Sequence, residues 1–275
     1  NEVSVEPYSY RKQINSVYGA VNLGWKHMLY FDATLRGDQS STLPISNNMY
    51  IYPSFSGSFV FSELLKLGDK LPYGKVRMSW AQVGSDTDPY QLGLVYTKSK
   101  FAYPGYTIGY ISNGTIPNKD LKPTKTNSFE MGLELKFLKN RIGLDFTYYS
   151  QLSKNQIMGM ASSSTSGYGY RLINAGEIEN KGVEIALNTR PIQTKDFSWD
   201  LNFNFSKNSN KVKKLVDDMD MFELEKATWL DVQVAAKVGE NFGSIVGPDF
   251  QRNENGDILI DPSTGLPMYD KSNHV

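Results

Sequence analysis

Aromatic side chains gather in two stretches that read as loops. "YTKSKFAYPGYTIGYISNGT" (96–115) carries Tyr96, Phe101, Tyr103, Tyr106 and Tyr110, and "GYGYR" (167–171) adds Tyr168, Tyr170 and Arg171. Aromatic rings stack on sugar faces, and phenol hydroxyls add hydrogen bonds. The same rings also serve plain loop-on-loop packing. Ligand or partner contact at Phe101, Tyr103, Tyr106, Tyr110, Tyr168, Tyr170 and Arg171 is therefore an expectation for the structure to meet.

Other chemistry finds less to build on. "SYRK" (9–12) matches S-x-x-K but precedes a strand instead of opening a helix. Glu130 and Glu134 share a strand face, about 13 Å apart at roughly 3.3 Å per residue, which is no hydrolytic pair by itself. "QRNENGDILIDP" (251–262) tempts a calcium reading, but with Gly256 at loop position six, position one is Gln251 and position twelve is Pro262. A surface hairpin around Asn255-Gly256 fits better. Asp217, Asp218, Asp220, Glu223 and Glu225 read as a solvated acidic loop. Cysteine is absent and the histidines are only two, His27 and His274. The chain carries no G-x-S-x-G, Gly-rich phosphate loop or H-E-x-x-H. The residues thus support no catalytic site, no cofactor and no metal.

Composition points to strands. Tyr (17), Phe (14) and Trp (4) make up 13 % of the 275 residues, and such residues favour strands. Lys plus Arg (29) balances Asp plus Glu (29), so the basic footprint of a nucleic-acid binder is missing. No apolar run approaches the roughly 18 residues of a transmembrane helix. The opening "NEVSVEPYSY" has neither the basic n-region nor the apolar h-region of a signal peptide.

Period-two alternation recurs along the chain, and successive side chains of a strand point to opposite faces. In "MLYFDATLRGD" Leu29, Phe31, Ala33 and Leu35 oppose Tyr30, Asp32, Thr34 and Arg36. In "MYIYPSFSGSFVF" Met49, Ile51, Phe55, Phe59 and Phe61 form the apolar set. "SFEMGLELKFL" sets Phe129, Met131, Leu133, Leu135 and Phe137 against Glu130, Glu134 and Lys136. "RIGLDFTYYS" sets Ile142, Leu144, Phe146 and Tyr148 against Asp145 and Thr147. "GVEIALN" and "FSWDLNFNFS" repeat the pattern, and 16–25 and 75–83 show it more weakly. Eight strands are expected, with a ninth near 228–246.

Strand length and spacing decide which solvent the apolar face meets. Globular strands most often run about 5–6 residues. These run about 9–13, the span of a tilted bilayer crossing. Tight connections at Lys26-His27, Lys139-Asn140 and 192–196 alternate with longer ones at 38–48, 86–126, 157–174 and 213–227, as in outer-membrane barrels. The 62–74 connection breaks the rhythm, and "SELLKLGDKLP" there is expected to hold a helical turn. Trp25, Trp80 and Trp199 are expected near strand ends as interfacial anchors. Pro53 inside a strand demands a bulge or an unpaired position. The expected architecture is all-β, a transmembrane antiparallel barrel, with Ile142, Leu144, Phe146 and Tyr148 toward lipid and Asp145 and Thr147 toward a wet lumen.

Long phrases then carry a resemblance. "LPYGKVRMSWAQVGSDTDPY" (71–90), "LKPTKTNSFEMGLELKFLKNRIGLDFTYYSQLSKNQI" (121–157) and "LINAGEIENKGVEIALNTRPIQTKDFSWDLNFNFSKNSNKV" (172–212) resemble the SusC/RagA family of TonB-linked outer-membrane transporters. "FDATLRGDQSSTLP" (31–44) and "VGENFGSIVGPDFQRNENGDILIDPSTGLPM" (238–268) resemble it too. The resemblance implies part of a large plugged barrel, of which residues 1–275 supply about eight or nine strands. It implies that the plug domain and the terminal strands lie outside this chain. It implies residence in the outer membrane of a Gram-negative cell and import of oligosaccharides or peptides. The implied partners are a SusD-like surface lipoprotein, the TonB complex, the glycan or peptide cargo and the lipid bilayer, with no nucleic acid. A soluble or surface β-sheet module that binds glycans without transport is the alternative reading, and an outer-membrane hydrolase stays formally open.

Overall fold

The computed structural model describes residues 9–66, 68–94, 96–98, 104–111, 114–216, 219–227 and 232–274. The chain divides into two compact units, Asn1–Ala175 with Asn180–Asn208, and Gly176–Glu179 with Ser209–Val275.

The first unit is built on one long sheet. Its main strands are β1 (Ile14–Trp25), β2 (Leu29–Ser40), β3 (Met49–Phe59), β4 (Tyr73–Ser85), β5 (Thr124–Phe137), β6 (Ile142–Ala161), β7 (Tyr170–Gln193) and β8 (Ser198–Lys214). The last two run on into residues of the second unit. Each pairs with the next in chain order. The pairings resolved from β1 to β6 are antiparallel.

The register preserves the two faces from strand to strand. One row runs Leu23, Phe31, Gly57, Met78, Met131, Tyr148, and the row beside it runs Asn22, Asp32, Ser56, Ser79, Glu130, Tyr149. Directly paired residues share a face, so from β1 to β6 the apolar sets read from the sequence fall on the same side, Phe61 excepted. That side is open: Val17 is 80 % exposed and Leu23 60 %.

The turns alternate as the spacing demands. At one end, Lys26 and His27 both adopt positive φ, and Met28 N–H donates to Trp25 O at 3.0 Å. This is the twist a tight hairpin prefers, in a loop one residue longer than the Lys26-His27 pair. Leu138, Lys139 and Asn140 do the same between β5 and β6. The odd connection holds a short helix, α1 (Phe61–Leu65), and a 3₁₀ turn at Gly68–Lys70.

Several expectations change. Phe61 leaves the strand and starts α1, with its ring lying where a Cβ on Gly74 would stand. Trp80 sits mid-strand, stacked on Phe55 with centroids 6.1 Å apart, so it anchors no strand end. The 157–174 loop shrinks to 162–169, because β6 has 20 residues and β7 has 24. Pro53 needs no bulge: β3 pairs with β2 through Pro53 in register, and with β4 only from Ser54 to Phe59.

The second unit contains a small sheet of β9 (Met221–Lys226), β10 (Gln233–Lys237) and β11 (Phe242–Val246), where the single ninth strand was expected. Ala236 packs with Val212 and Leu215 in a small core flanked by Met219, Phe222 and Leu224. A further pair, β12 (Pro248–Phe250) and β13 (Tyr269–His274), brackets two tight elbows. In the first, Asn253 Oδ1 accepts from the N–H groups of Asn255 and Asp257, and Gly256 takes φ 88°. The expected Asn255-Gly256 hairpin is therefore present.

Candidate functional site

The polar face of the first unit carries its charge. Near the centre, Arg77 of β4 lies across Gly132 of β5 and donates to Thr147 Oγ1 of β6 at 2.7 Å. Any side chain at position 132 would collide with that arginine. Arg77 also pairs with Asp145 at 3.3 Å and Glu130 at 3.7 Å. Arg77, Asp145 and Thr147, with Glu184, Asn204 and Ser206, line a hollow of about 440 Å³. Farther along, Arg190 pairs with Asp200 at 2.5 Å. On the opposite flank Asp32 accepts from Asn22 at 2.5 Å and from Ser56 at 3.0 Å. This is a polar surface of mutually paired charges. It is not a catalytic dyad, and among the described residues no group of His, Cys, Asp or Glu is placed to hold a metal.

At the long-loop end the chain straps itself. Asp86, just past β4, accepts from Lys12 Nζ at 2.6 Å, from Thr42 Oγ1 at 3.1 Å and from Ser40 Oγ. Tyr90 OH accepts from Arg11 N–H at 3.0 Å. Partial burial pushes the Asp86 carboxyl up, but the hydrogen bonds from Lys12, Ser40 and Thr42 outweigh it and hold the group below its ordinary range.

A second clamp sits between the two aromatic loops. Asn174 accepts from Lys122 N–H and donates to Lys122 O, both at 2.7 Å, and its amide also reaches Asn155 O at 3.1 Å. Leu121 beside it is fully buried.

The candidate contact residues divide. Phe101 and Tyr103 lie outside the described residues. Tyr110 stands in the short strand Gly109–Ile111, paired with Tyr96–Lys98. Thr115–Ile116 pairs in parallel with Tyr170–Arg171, which joins the two loops directly. Tyr106 (75 % exposed) and Tyr170 (54 %) present open rings. Tyr168 is half-buried, and Arg171 reaches Met160 Sδ at 3.7 Å. Of the acidic loop, Asp217 and Asp218 lie outside the described residues, while Glu223 and Glu225 belong to β9.

Arg77, Asp86 and Asn174 had not been singled out from the sequence. Parity places Arg77 on the polar face, but its partners depend on register. The other two join residues 19 to 74 positions apart, which no local pattern announces.

Comparison with known proteins is consistent with this architecture. The family model described as "TonB dependent receptor-like, beta-barrel" matches residues 3–244. TonB-dependent receptor P3 of Formosa agariphila is 30 % identical over 262 residues, which cover 90 % of this chain and 26 % of that protein. TonB-dependent receptor SusC of Bacteroides thetaiotaomicron is 30 % identical over 225 residues, covering 78 % of this chain and 22 % of SusC. The chain thus spans about a quarter of the length of these relatives. The solved structure of the RagAB peptide transporter aligns with TM-score 0.79 at 22 % identity, over 94 % of this chain and 27 % of that one, and so shares its fold.

Proposed function

The chain belongs to the TonB-dependent receptor-like β-barrel family, and on that premise we propose that it forms part of the wall of an outer-membrane importer for large nutrients. The wall sits in the outer membrane of a Gram-negative cell and turns its apolar rows to lipid. The cargo is an oligosaccharide or a peptide. A SusD-like surface lipoprotein closes the mouth at the long-loop end, and the TonB complex drives uptake through parts of the receptor outside these residues.

One observation supports this reading above the others: apolar side chains are exposed in register across the strands, opposite a polar face rich in paired charges. Leaving so much apolar surface uncovered in water is costly, whereas hydrocarbon is its natural solvent. Open strand edges at β1 and β8 are not tolerated in lipid, so the wall needs further strands to close it. The alternative, a soluble glycan-binding sheet, would need a second layer over the apolar face.

On this proposal Tyr106, Tyr110, Tyr168, Tyr170 and Arg171, with Phe101 and Tyr103, meet cargo or lipoprotein. The test is purification of the full-length receptor from outer membranes, with uptake measured in cells. A co-purifying surface lipoprotein and oligosaccharide or peptide uptake abolished by loss of TonB are expected. Uptake unaffected by deleting the receptor, or a receptor found in the soluble fraction, would overturn the proposal.

A further inference from the structure

The wall has a seam. β3 pairs with β2 over its whole length, Met49 to Phe59, and β4 pairs with β5 from Tyr73 to Ser85. Between β3 and β4 the ladder holds only from Ser54↔Ala81 to Phe59↔Val76. Above that point the strands part, and a slot of about 340 Å³ opens between them. Asn47, Tyr50, Tyr52, Gln82, Lys122 and Lys125 line it.

The slot is held open by its own bonds. Asn47 donates to Asp120 O at 3.3 Å on one side. On the other, the Asn174 fork fixes Lys122, and Thr124 Oγ1 donates to Asn155 O at 3.2 Å. Tyr52 donates to Asp38, which Arg36 Nε holds at 2.8 Å. The Tyr50 ring lies where a Cβ on Gly84 would stand. Tyr50 and Tyr52 stack with centroids 5.9 Å apart and planes 23° apart. Sites whose polar groups are fixed in advance spend less of their binding energy on ordering.

We propose that this slot is a subsite for an acidic saccharide, with a sugar ring against the Tyr50–Tyr52 pair and its carboxylate or sulfate toward Lys122. The lining argues for that class. It offers amides and phenols, which pair with hydroxyls, and the lysine Lys122. Among the described residues no carboxylate lines it, and the neighbouring Asp38 and Asp86 are committed to Arg36, Tyr52, Lys12, Ser40 and Thr42. An extended peptide could enter a parted seam by strand addition, but Pro53 blunts that edge at its root by removing an N–H. The size falls within the range of small-molecule sites, roughly 300–1,000 Å³.

The proposal rests on the reading of the polar face as a lumen. Its test is calorimetric titration of the full-length receptor in detergent with a galacturonate hexamer and a sulfated carrageenan hexasaccharide. Maltohexaose and hexaglutamate serve as comparators. At least one acidic saccharide should bind, and maltohexaose at least tenfold more weakly. Tyr50→Ala with Tyr52→Ala should weaken the acidic saccharide tenfold or more, and Lys122→Gln should erase its advantage over maltohexaose. Lys122→Arg, which keeps the charge, should bind normally. Equal binding of hexaglutamate, indifference to the tyrosine or lysine changes, or no saccharide bound at all would overturn the subsite. Reactivity of Ser56→Cys with a membrane-impermeant maleimide, measured on the same receptor in outer membranes, separates the two failures. A reactive cysteine with no saccharide bound sinks the subsite alone, whereas an unreactive one sinks the lumen reading itself.

Discussion

Two sheets in this chain turn their apolar side chains to opposite surroundings. In the eight-strand wall Val17, Leu23, Ile51 and Phe203 are all more than half exposed. In the small sheet β9–β11, Ala235, Ala236 and Val246 are buried, with Ala236 packed on Val212 and Leu215. Alternation alone sorts faces without naming the solvent. Length and cover name it. The strands β1 to β4 have 11 to 13 residues, enough for a tilted crossing, whereas β9, β10 and β11 have 5 or 6 and a small core of their own.

The contrast can be broken most forcefully with charge. Phe55→Lys should destabilise the receptor in bilayers by about 2–4 kcal/mol, as for a cation on the lipid face near the midplane. Ser56→Lys, one residue away on the polar face, should cost less than about 0.5 kcal/mol. Urea unfolding in lipid vesicles reads both. Ala236→Lys should be just as damaging to the small sheet but through burial of an unpaired charge, seen as new protease cleavage within residues 219–246.

The strap at Asp86 comes next. Asp86→Ala leaves the hydroxyls of Ser40 and Thr42 and the Lys12 ammonium without their acceptor, at a cost of roughly 2 kcal/mol. The pH dependence has a defined sign. The carboxyl is held below its ordinary value in the folded chain, so its contribution is complete above about pH 4 and is lost as pH falls through the depressed value. Hydrogen-exchange protection across residues 86–90, corrected for the intrinsic rate at each pH, should therefore fall in acid in the parent, and already at neutral pH in the variant.

Smaller effects belong to the polar face. Arg77→Met should cost about 1 kcal/mol or less, because Asp145 and Glu130 lose their counter-charge in a half-exposed, solvent-screened setting. Gly132→Ala should mimic part of it by lifting Arg77 off its bed. Pro53→Ala should fall within about 0.5 kcal/mol, because no β4 partner faces that position.

The pairing of faces from β1 to β6 was readable from residue order because each strand contrasts Leu, Phe or Met with Ser, Asp or Glu at period two. The upper halves of β6 and β7 were not. Stretches such as "AGEIENKG" carry polar side chains at both parities, so they leave no alternation to read. At 24 residues, β7 has roughly twice the length a crossing needs. The charged hollow was half visible. Parity put Arg77, Asp145 and Glu184 on one face, but only the register shows Arg77 reaching over Gly132 to Thr147. The aromatic candidates were found by composition. Their meeting through Thr115–Ile116 and Tyr170–Arg171 is a long-range pairing that composition cannot foresee. The Tyr50–Tyr52 slot escaped notice because it arises where a ladder stops, a property of two strands together.

The most direct test of the central claim is a cysteine scan of β2, Leu29 to Ser40, in the full-length receptor in outer membranes. Each variant is labelled with a membrane-impermeant maleimide and, separately, with a fluorophore read against a lipid-bound quencher. The account predicts strict alternation: positions 29, 31, 33 and 35 unreactive and lipid-quenched, positions 30, 32, 34 and 36 reactive and unquenched. Uniform reactivity along the strand, or the two sets exchanged, would contradict it.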